Sequence, residues 1–178
     1  PFLYYGDEIG MGDNIWLDDR NGVRTPMQWN DGPHAGFTDA NVPTNRLSQP
    51  VIEDDEFGYV KVNVAAQTDD PASLLNWTRG ALAVRKQHPV FGRGSLTLLK
   101  PNNTAVLAYV RANSDETVLV VNSLSPDPLH VALDLDGYRG KMLVDLSTGA
   151  KLEVPASGTW TLALERYGYR WLKVSEKA

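Results

Sequence analysis

The groups able to do chemistry in this chain are carboxylates, amides, a few forked cations and broad aromatic faces. None of the 178 residues is cysteine, so disulfides, thiolate metal sites and thiol nucleophiles are excluded. Asp7 and Glu8 are the first pair to weigh, because cleaving a glycosidic bond with retention needs a nucleophilic and a proton-donating carboxyl about 5 Å apart. They follow the apolar run from Pro1 to Tyr5, which reads as a buried strand opening onto a polar loop. If they continue that strand, their adjacent side chains face opposite ways and cannot share one scissile bond. The expected role is structural, with their oxygens accepting backbone N–H groups of the loop.

Asp18-Asp19-Arg20-Asn21-Gly22 invites comparison with a calcium loop. With Gly22 in the sixth place of an EF-hand, however, Leu17 would fall first and Gln28 twelfth, and neither suits its ligand position. A turn built from Asp and Asn side chains accounts for the cluster better, an irregular ion site being the alternative. Arg24-Thr25-Pro26-Met27-Gln28-Trp29 sets a forked cation, a rigid turn, an amide and a large aromatic face within six residues. Arg can hold hydroxyls or a carboxylate in fixed geometry, and Trp can stack on the CH face of a pyranose. The competing account is a loop anchored by an internal Arg–Asp pair with Trp29 in the core. His34, His88 and His130 fall on different elements, which argues against a metal triad or a Ser-His-Asp relay.

The elements that position these groups follow from periodicity. From Gly6 to Asp70 the chain is rich in Gly, Asp, Asn and Pro around aromatic islands, a long ordered loop of the kind that carries function. Asp70-Pro71 predicts a helix start over residues 71–88, with Leu74, Trp77, Ala81, Val84 and His88 on its buried face and Gly80 at a close approach. Pro89 ends it. Runs of alternating or continuous apolar residues then predict strands over 95–100, 105–112, 117–124, 129–135, 141–146, 151–154 and 160–174, the last broken near Tyr167-Gly168-Tyr169. An antiparallel β-sandwich over 94–178 is the simplest solution.

The net charge of −5, with no local run of Lys or Arg, opposes nucleic acid and anionic membranes as partners. No apolar stretch approaches the roughly 20 residues of a membrane helix. The opening residues have neither an initiator Met nor a charged signal-peptide start, and a buried strand needs paired edges. The expectation is that the chain begins inside a longer polypeptide.

The segments Phe2-Leu3-Tyr4-Tyr5-Gly6-Asp7-Glu8-Ile9-Gly10-Met11, Gly22-Val23-Arg24-Thr25-Pro26-Met27-Gln28-Trp29 and Ala35-Gly36-Phe37 resemble family 13 glycoside hydrolases, the α-amylase clan, after their last catalytic region. Val62-Asn63-Val64-Ala65-Ala66-Gln67 and the run from Arg85 to Gly94 are most similar to its trehalose-synthase branch. The resemblance implies an α/β plus all-β chain. Residues 1–93 would be the end of a (β/α)8 TIM barrel, with Pro1–Tyr5 the eighth strand and 71–88 the eighth helix; residues 94–178 would be the C-terminal β domain. It implies retaining transfer of a glucosyl unit between maltose and trehalose, with the catalytic carboxylates all before Pro1 and none in this chain. Arg24 is then expected at the glucose subsite, Gln28 and Trp29 on its rim, and Asp18 and Asp19 orienting Arg24. The implied partner is the preceding barrel segment. No cofactor or metal is expected within this segment, calcium being assigned, if anywhere, to the part before it. A cytoplasmic, homo-oligomeric parent is the further expectation. Two alternatives stay open: an oligo-1,6-glucosidase-like hydrolase, and a non-catalytic carbohydrate-binding β module using Trp160, Tyr167, Tyr169 and Trp171.

Overall fold

The computed structural model describes residues 2–176, so Pro1 and the last two residues of the expected β domain lie outside it. The chain forms two compact units, Pro1–Ala83 and Val84–Ala178. The expected domain boundary at 93/94 and this division differ for a local reason. His88 and Val90 bond to Glu116, and Val90 packs with Val118 and Val120, so the end of the helix belongs with the strands.

In the first unit the helices are α1, Val64–Thr68, and most of α2, Leu74–Gln87; the rest is turns and short 3-10 segments. Residues 2–5 are not a strand. They form no strand ladder among the described residues and are exposed, because an extended segment becomes a strand only where another chain segment takes up its N–H and C=O groups. α2 begins three residues later than expected. Asp70 spends its carboxylate on the Ala72 N–H at 2.9 Å, and the Ser73 hydroxyl accepts from the Asn76 N–H at 3.2 Å, so Ser73 takes the capping place. Leu75, not Leu74, is the buried apolar residue of this helix, set against Ile9 and Met27. Leu74 and Trp77, on the expected apolar face, are about half exposed. Nothing lies within 4 Å of a Cβ added at Gly80, so no close approach explains that glycine.

The second unit follows its pattern closely. α3, Val90–Arg93, precedes eight strands: β1 Ser95–Leu98, β2 Val106–Ala112, β3 Thr117–Ser123, β4 Leu129–Asp134, β5 Met142–Asp145, β6 Lys151–Glu153, β7 Thr159–Leu164 and β8 Tyr169–Ser175. Six form an antiparallel sheet in the order β1-β2-β3-β8-β5-β6, and β4 pairs with β7 in a second sheet. Their inner faces share one core, in which Val106, Ala108, Leu119, Val121, Leu143 and Leu172 meet Val131, Leu133, Trp160 and Leu164. In β3 residues 118–121 are all buried, since its second face is covered by Val90 and Phe91. A continuous apolar run is the signature of such a strand. The predicted interruption of the last strand falls at Tyr167, where φ is 50°, and at Gly168.

His88 Nδ1 lies 2.7 Å from Glu116 Oε2, which also has Lys173 Nζ at 3.8 Å. This partly buried trio fastens the end of α2 beside the turn joining β2 and β3. Among the described residues no helix is long and apolar enough to cross a membrane.

Two substitutions test this account by denaturant unfolding of the chain. Leu119→Ala, at the centre of the shared core, is expected to cost about 2–5 kcal/mol. Gly80→Ala is expected to stabilise by roughly 0.5–1 kcal/mol, since it removes a helix-interior glycine without meeting any atom; a loss of stability would show a packing constraint at that position.

Candidate sugar-binding wall

The first turn sets the floor. Asp7 Oδ2 accepts from the Tyr4 N–H at 2.8 Å and Glu8 Oε2 from the Gly6 N–H at 3.0 Å, so both carboxylates hold backbone as expected. Gly6 has φ 94°, and Met11 occupies the space a Cβ there would need. The Tyr5 hydroxyl donates to the Thr25 carbonyl at 2.9 Å and joins this turn to the arginine segment. Burial raises the Tyr5 pKa above that of an ordinary phenol, and the neighbouring Tyr4 adds to the rise, while the Arg24 charge works against it.

Arg24 closes the 3-10 turn Asn21–Arg24 and is exposed. It enters no ion pair among the described residues, which removes the internal Arg–Asp anchor as its explanation. Asp18 and Asp19 are not brought to it. Asp19 stands 3.9 Å from Arg20 on the surface, and the Asp18 carbonyl accepts the Asn21 N–H at 3.1 Å to shape the turn. Gly22 is buried here because a Cβ would overlap Asp13 and the Asn14 carbonyl. No group of three His, Asp or Glu residues that could hold a metal ion occurs among the described residues.

Thr25, Pro26, Met27 and Gln28 are buried, and Trp29 emerges again. Gln28 is fully enclosed. Its amide donates to the Phe57 carbonyl at 3.1 Å and to the Val62 carbonyl, so the structure gives it the work of a strut rather than a face on the rim. Trp29 is pinned from both sides. Its N–H donates to the Ala35 carbonyl at 2.8 Å, and its carbonyl accepts from Ala65 N–H at the start of α1 at 2.9 Å.

These pieces enclose a concavity of about 410 Å³. Tyr5, Glu8, Arg24 and Ser48 make its polar edge; Pro26, Met27, Trp29, Phe37 and Leu47 make an apolar wall. The structure thus brings Arg24 and Trp29 to one hollow and leaves Asp18, Asp19 and Gln28 out of its lining. Leu47 and Ser48 are additions that sequence reasoning missed; Tyr5 and Phe37 stood only in matching motifs, and Glu8 was given a structural role. Such an edge and wall suit a sugar, which offers hydroxyls around its rim and CH groups on its faces. Glu8 is the single carboxylate in the lining, so the paired acids of glycosyl transfer are not assembled here.

Of the residues of the rival aromatic module, Trp160 is buried in the sandwich core, Trp171 packs on Phe91 with ring centres 5.0 Å apart and lies 5.9 Å from Tyr169, and Tyr167 lies in the β7–β8 turn with Arg166 over its ring.

Residues 1–94 match the α-amylase catalytic domain and residues 96–171 the C-terminal domain of maltogenic amylase. The chain belongs to the α-amylase family of glycoside hydrolases, as the end of its catalytic domain followed by a C-terminal β domain. It is 44% identical over 180 residues to a trehalose synthase of Pimelobacter sp. (strain R48), and 46% over 180 residues to the trehalose synthase/amylase TreS of Mycobacterium tuberculosis (strain ATCC 25618 / H37Rv). These matches cover 99% and 98% of the chain but 31% and 29% of the relatives, so the chain spans less than a third of their length. The trehalulose synthase MutB from Pseudomonas mesoacidophila MX-45 superposes with a TM-score of 0.73 at 25% identity, over 98% of this chain and 35% of that one.

Thermal unfolding separates strut from rim. Gln28→Leu leaves the part-buried carbonyls of Phe57 and Val62 without this donor and is expected to cost about 1–3 kcal/mol in all. Arg24→Ala is expected to change stability by no more than about 0.5 kcal/mol, because the side chain is exposed and unpaired.

Proposed function

We propose that this chain supplies one wall of the sugar pocket in a trehalose-synthase-type enzyme, which interconverts maltose and trehalose by retaining, intramolecular glucosyl transfer. The observation that carries the proposal is that Arg24, exposed and without an ion-pair partner among the described residues, lines one hollow together with half-exposed Trp29. The names of the relatives above support the reaction. In it, the bond from the glucosyl C1 to O4 of the second glucose breaks, O4 takes a proton, and C1 is held on a carboxylate. The released glucose then turns, its anomeric oxygen bonds to C1, its proton returns to the acid, and the carboxylate is freed. The two acids belong to polypeptide preceding residue 1, which is the partner this wall requires. Arg24 binds and orients glucose hydroxyls, and Trp29 covers a ring face. We assign this segment no cofactor and the whole enzyme a cytoplasmic setting.

Hydrolysis is the second reading, favoured by the word amylase in the name of the mycobacterial relative. Product analysis decides between them. The full-length protein incubated with maltose is expected to yield trehalose, and glucose as the only product would make it a hydrolase. In the same protein Arg24→Ala is expected to lower kcat/KM for maltose by roughly tenfold to a hundredfold, the worth of a hydrogen bond from a charged donor. An unchanged value would remove Arg24 from the sugar site.

A further inference from the structure

Next to the sugar wall the backbone adopts a conformation that side chains with a Cβ avoid. His34, Ala35 and Gly36 are left-handed in succession, with φ of 54°, 56° and 68°. Ala35 is nevertheless fully buried. Residues held this way persist only when their surroundings over-determine them, and they concentrate at functional sites. Here the surroundings are specific. The Ala35 carbonyl accepts from both Trp29 and Asn30 N–H groups, at 2.8 and 3.1 Å; Ala35 N–H donates to the Gly32 carbonyl at 3.0 Å and Phe37 N–H to the His34 carbonyl at 3.0 Å. The Asn30 carboxamide fills the middle of the knot. Its Oδ1 accepts from Gly32 N–H at 2.8 Å, and a Cβ at Gly36 would overlap its Nδ2.

The residues bounding this knot are Trp29 and Phe37, 49% and 51% exposed, and both line the concavity. The backbone bonds and the Asn30 carboxamide tie these two positions together, and no ring contact between them occurs among the described residues. We infer that Asn30 and Gly36 are positioning residues that set the gap between Trp29 and Phe37, and that this gap retains the released aldohexose by its CH faces so that its anomeric hydroxyl, and not water, attacks C1. The inference rests on the glucosyl-transfer proposal above. Both outcomes balance with groups already named: the attacking oxygen, from sugar or from water, bonds to C1, and its proton passes to the acid that gave one to O4. A gap of the right width decides between them by excluding water and holding the sugar hydroxyl in place.

The test uses full-length enzyme with maltose, measuring the ratio of glucose to trehalose formed, kcat and KM separately, and Tm. Asn30→Ala is expected to raise that ratio on the order of tenfold, inside the hundredfold that a misplacement of about 1 Å can cause. Its turnover of α-glucosyl fluoride, whose leaving group is too small to need the gap, stays within about twofold. Asn30→Asp keeps the acceptor for Gly32 N–H and is expected to retain the parent ratio. Phe37→Ala opens the gap from its exposed side without touching the knot, and is expected to raise the ratio even if Asn30→Ala fails to fold. Unchanged ratios in Asn30→Ala and Phe37→Ala with Tm intact overturn the inference. So does a loss in Asn30→Ala that is equal on maltose and fluoride and tracks a lower Tm, which makes the knot a support of the fold only. Unmutated enzyme that forms no trehalose brings down the glucosyl-transfer proposal itself, and this inference with it.

Discussion

A long irregular segment has to pair its buried backbone groups with something other than a ladder, and this constraint organises the first unit. Between Met11 and Val62 the regular structure amounts to a few 3-10 turns. Backbone turns, the carboxylates of Asp39 and Asp54 and the Gln28 amide meet part of the shortfall, and side-chain amides bind the residues that flank the segment. Gln67 donates to the Ile9 carbonyl at 2.7 Å and accepts from Leu75 N–H at 3.0 Å, binding the first turn to the start of α2. Asn63 caps α1 through Ala66 N–H while donating to the Tyr59 carbonyl, and Asn76 donates to the carbonyls of Gln67, Thr68 and Asp70. An amide suits the work because it offers a donor and an acceptor without bringing a charge into the interior.

The candidate wall is a by-product of the same economy. Because Thr25 to Gln28 are buried and Gln28 spends its amide on two carbonyls of the following loop, the residues at either end of that stretch are forced outward. Those residues are Arg24 and Trp29. A cation with no ion-pair partner among the described residues and a half-exposed aromatic ring are therefore presented on paired backbone, which does not have to be ordered when a ligand arrives. Such preorganisation cuts the entropic cost of binding.

The legibility of the sequence follows the same physics. Strand patterns were readable because burial on one or both faces is written in the residues themselves: His130 to Leu135 alternates, and Val118 to Val121 does not. The stripe of Leu74, Trp77, Ala81 and Val84 announced a helix correctly and its burial incorrectly, since periodicity tells which face is apolar and not what covers it. Phe2 to Tyr5 misled in the same way. At the wall, Arg24 and Trp29 were legible from their chemistry. Gln28 has equally suitable chemistry, and only its enclosure reveals a strut. The left-handed run was illegible at its centre, because Gly36 hints at positive φ but nothing in the identity of Ala35 does.

A wall without acids can still bear on the outcome of glycosyl transfer. Once a glucosyl unit sits on a carboxylate, the attacking groups on offer are a sugar hydroxyl and water, which differ little in intrinsic reactivity. Water is small, abundant and indifferent to shape, so an apolar surface is the simplest means of disfavouring it. Pro26, Met27, Phe37 and Leu47 provide such a surface here, and the polar edge from Tyr5 through Glu8 to Arg24 offers hydrogen bonds that a hexose can complete at several points together. In the proposed transfer, complementarity to the retained sugar governs this competition, and the precision of that fit rests on buried amides and a strained turn outside the lining.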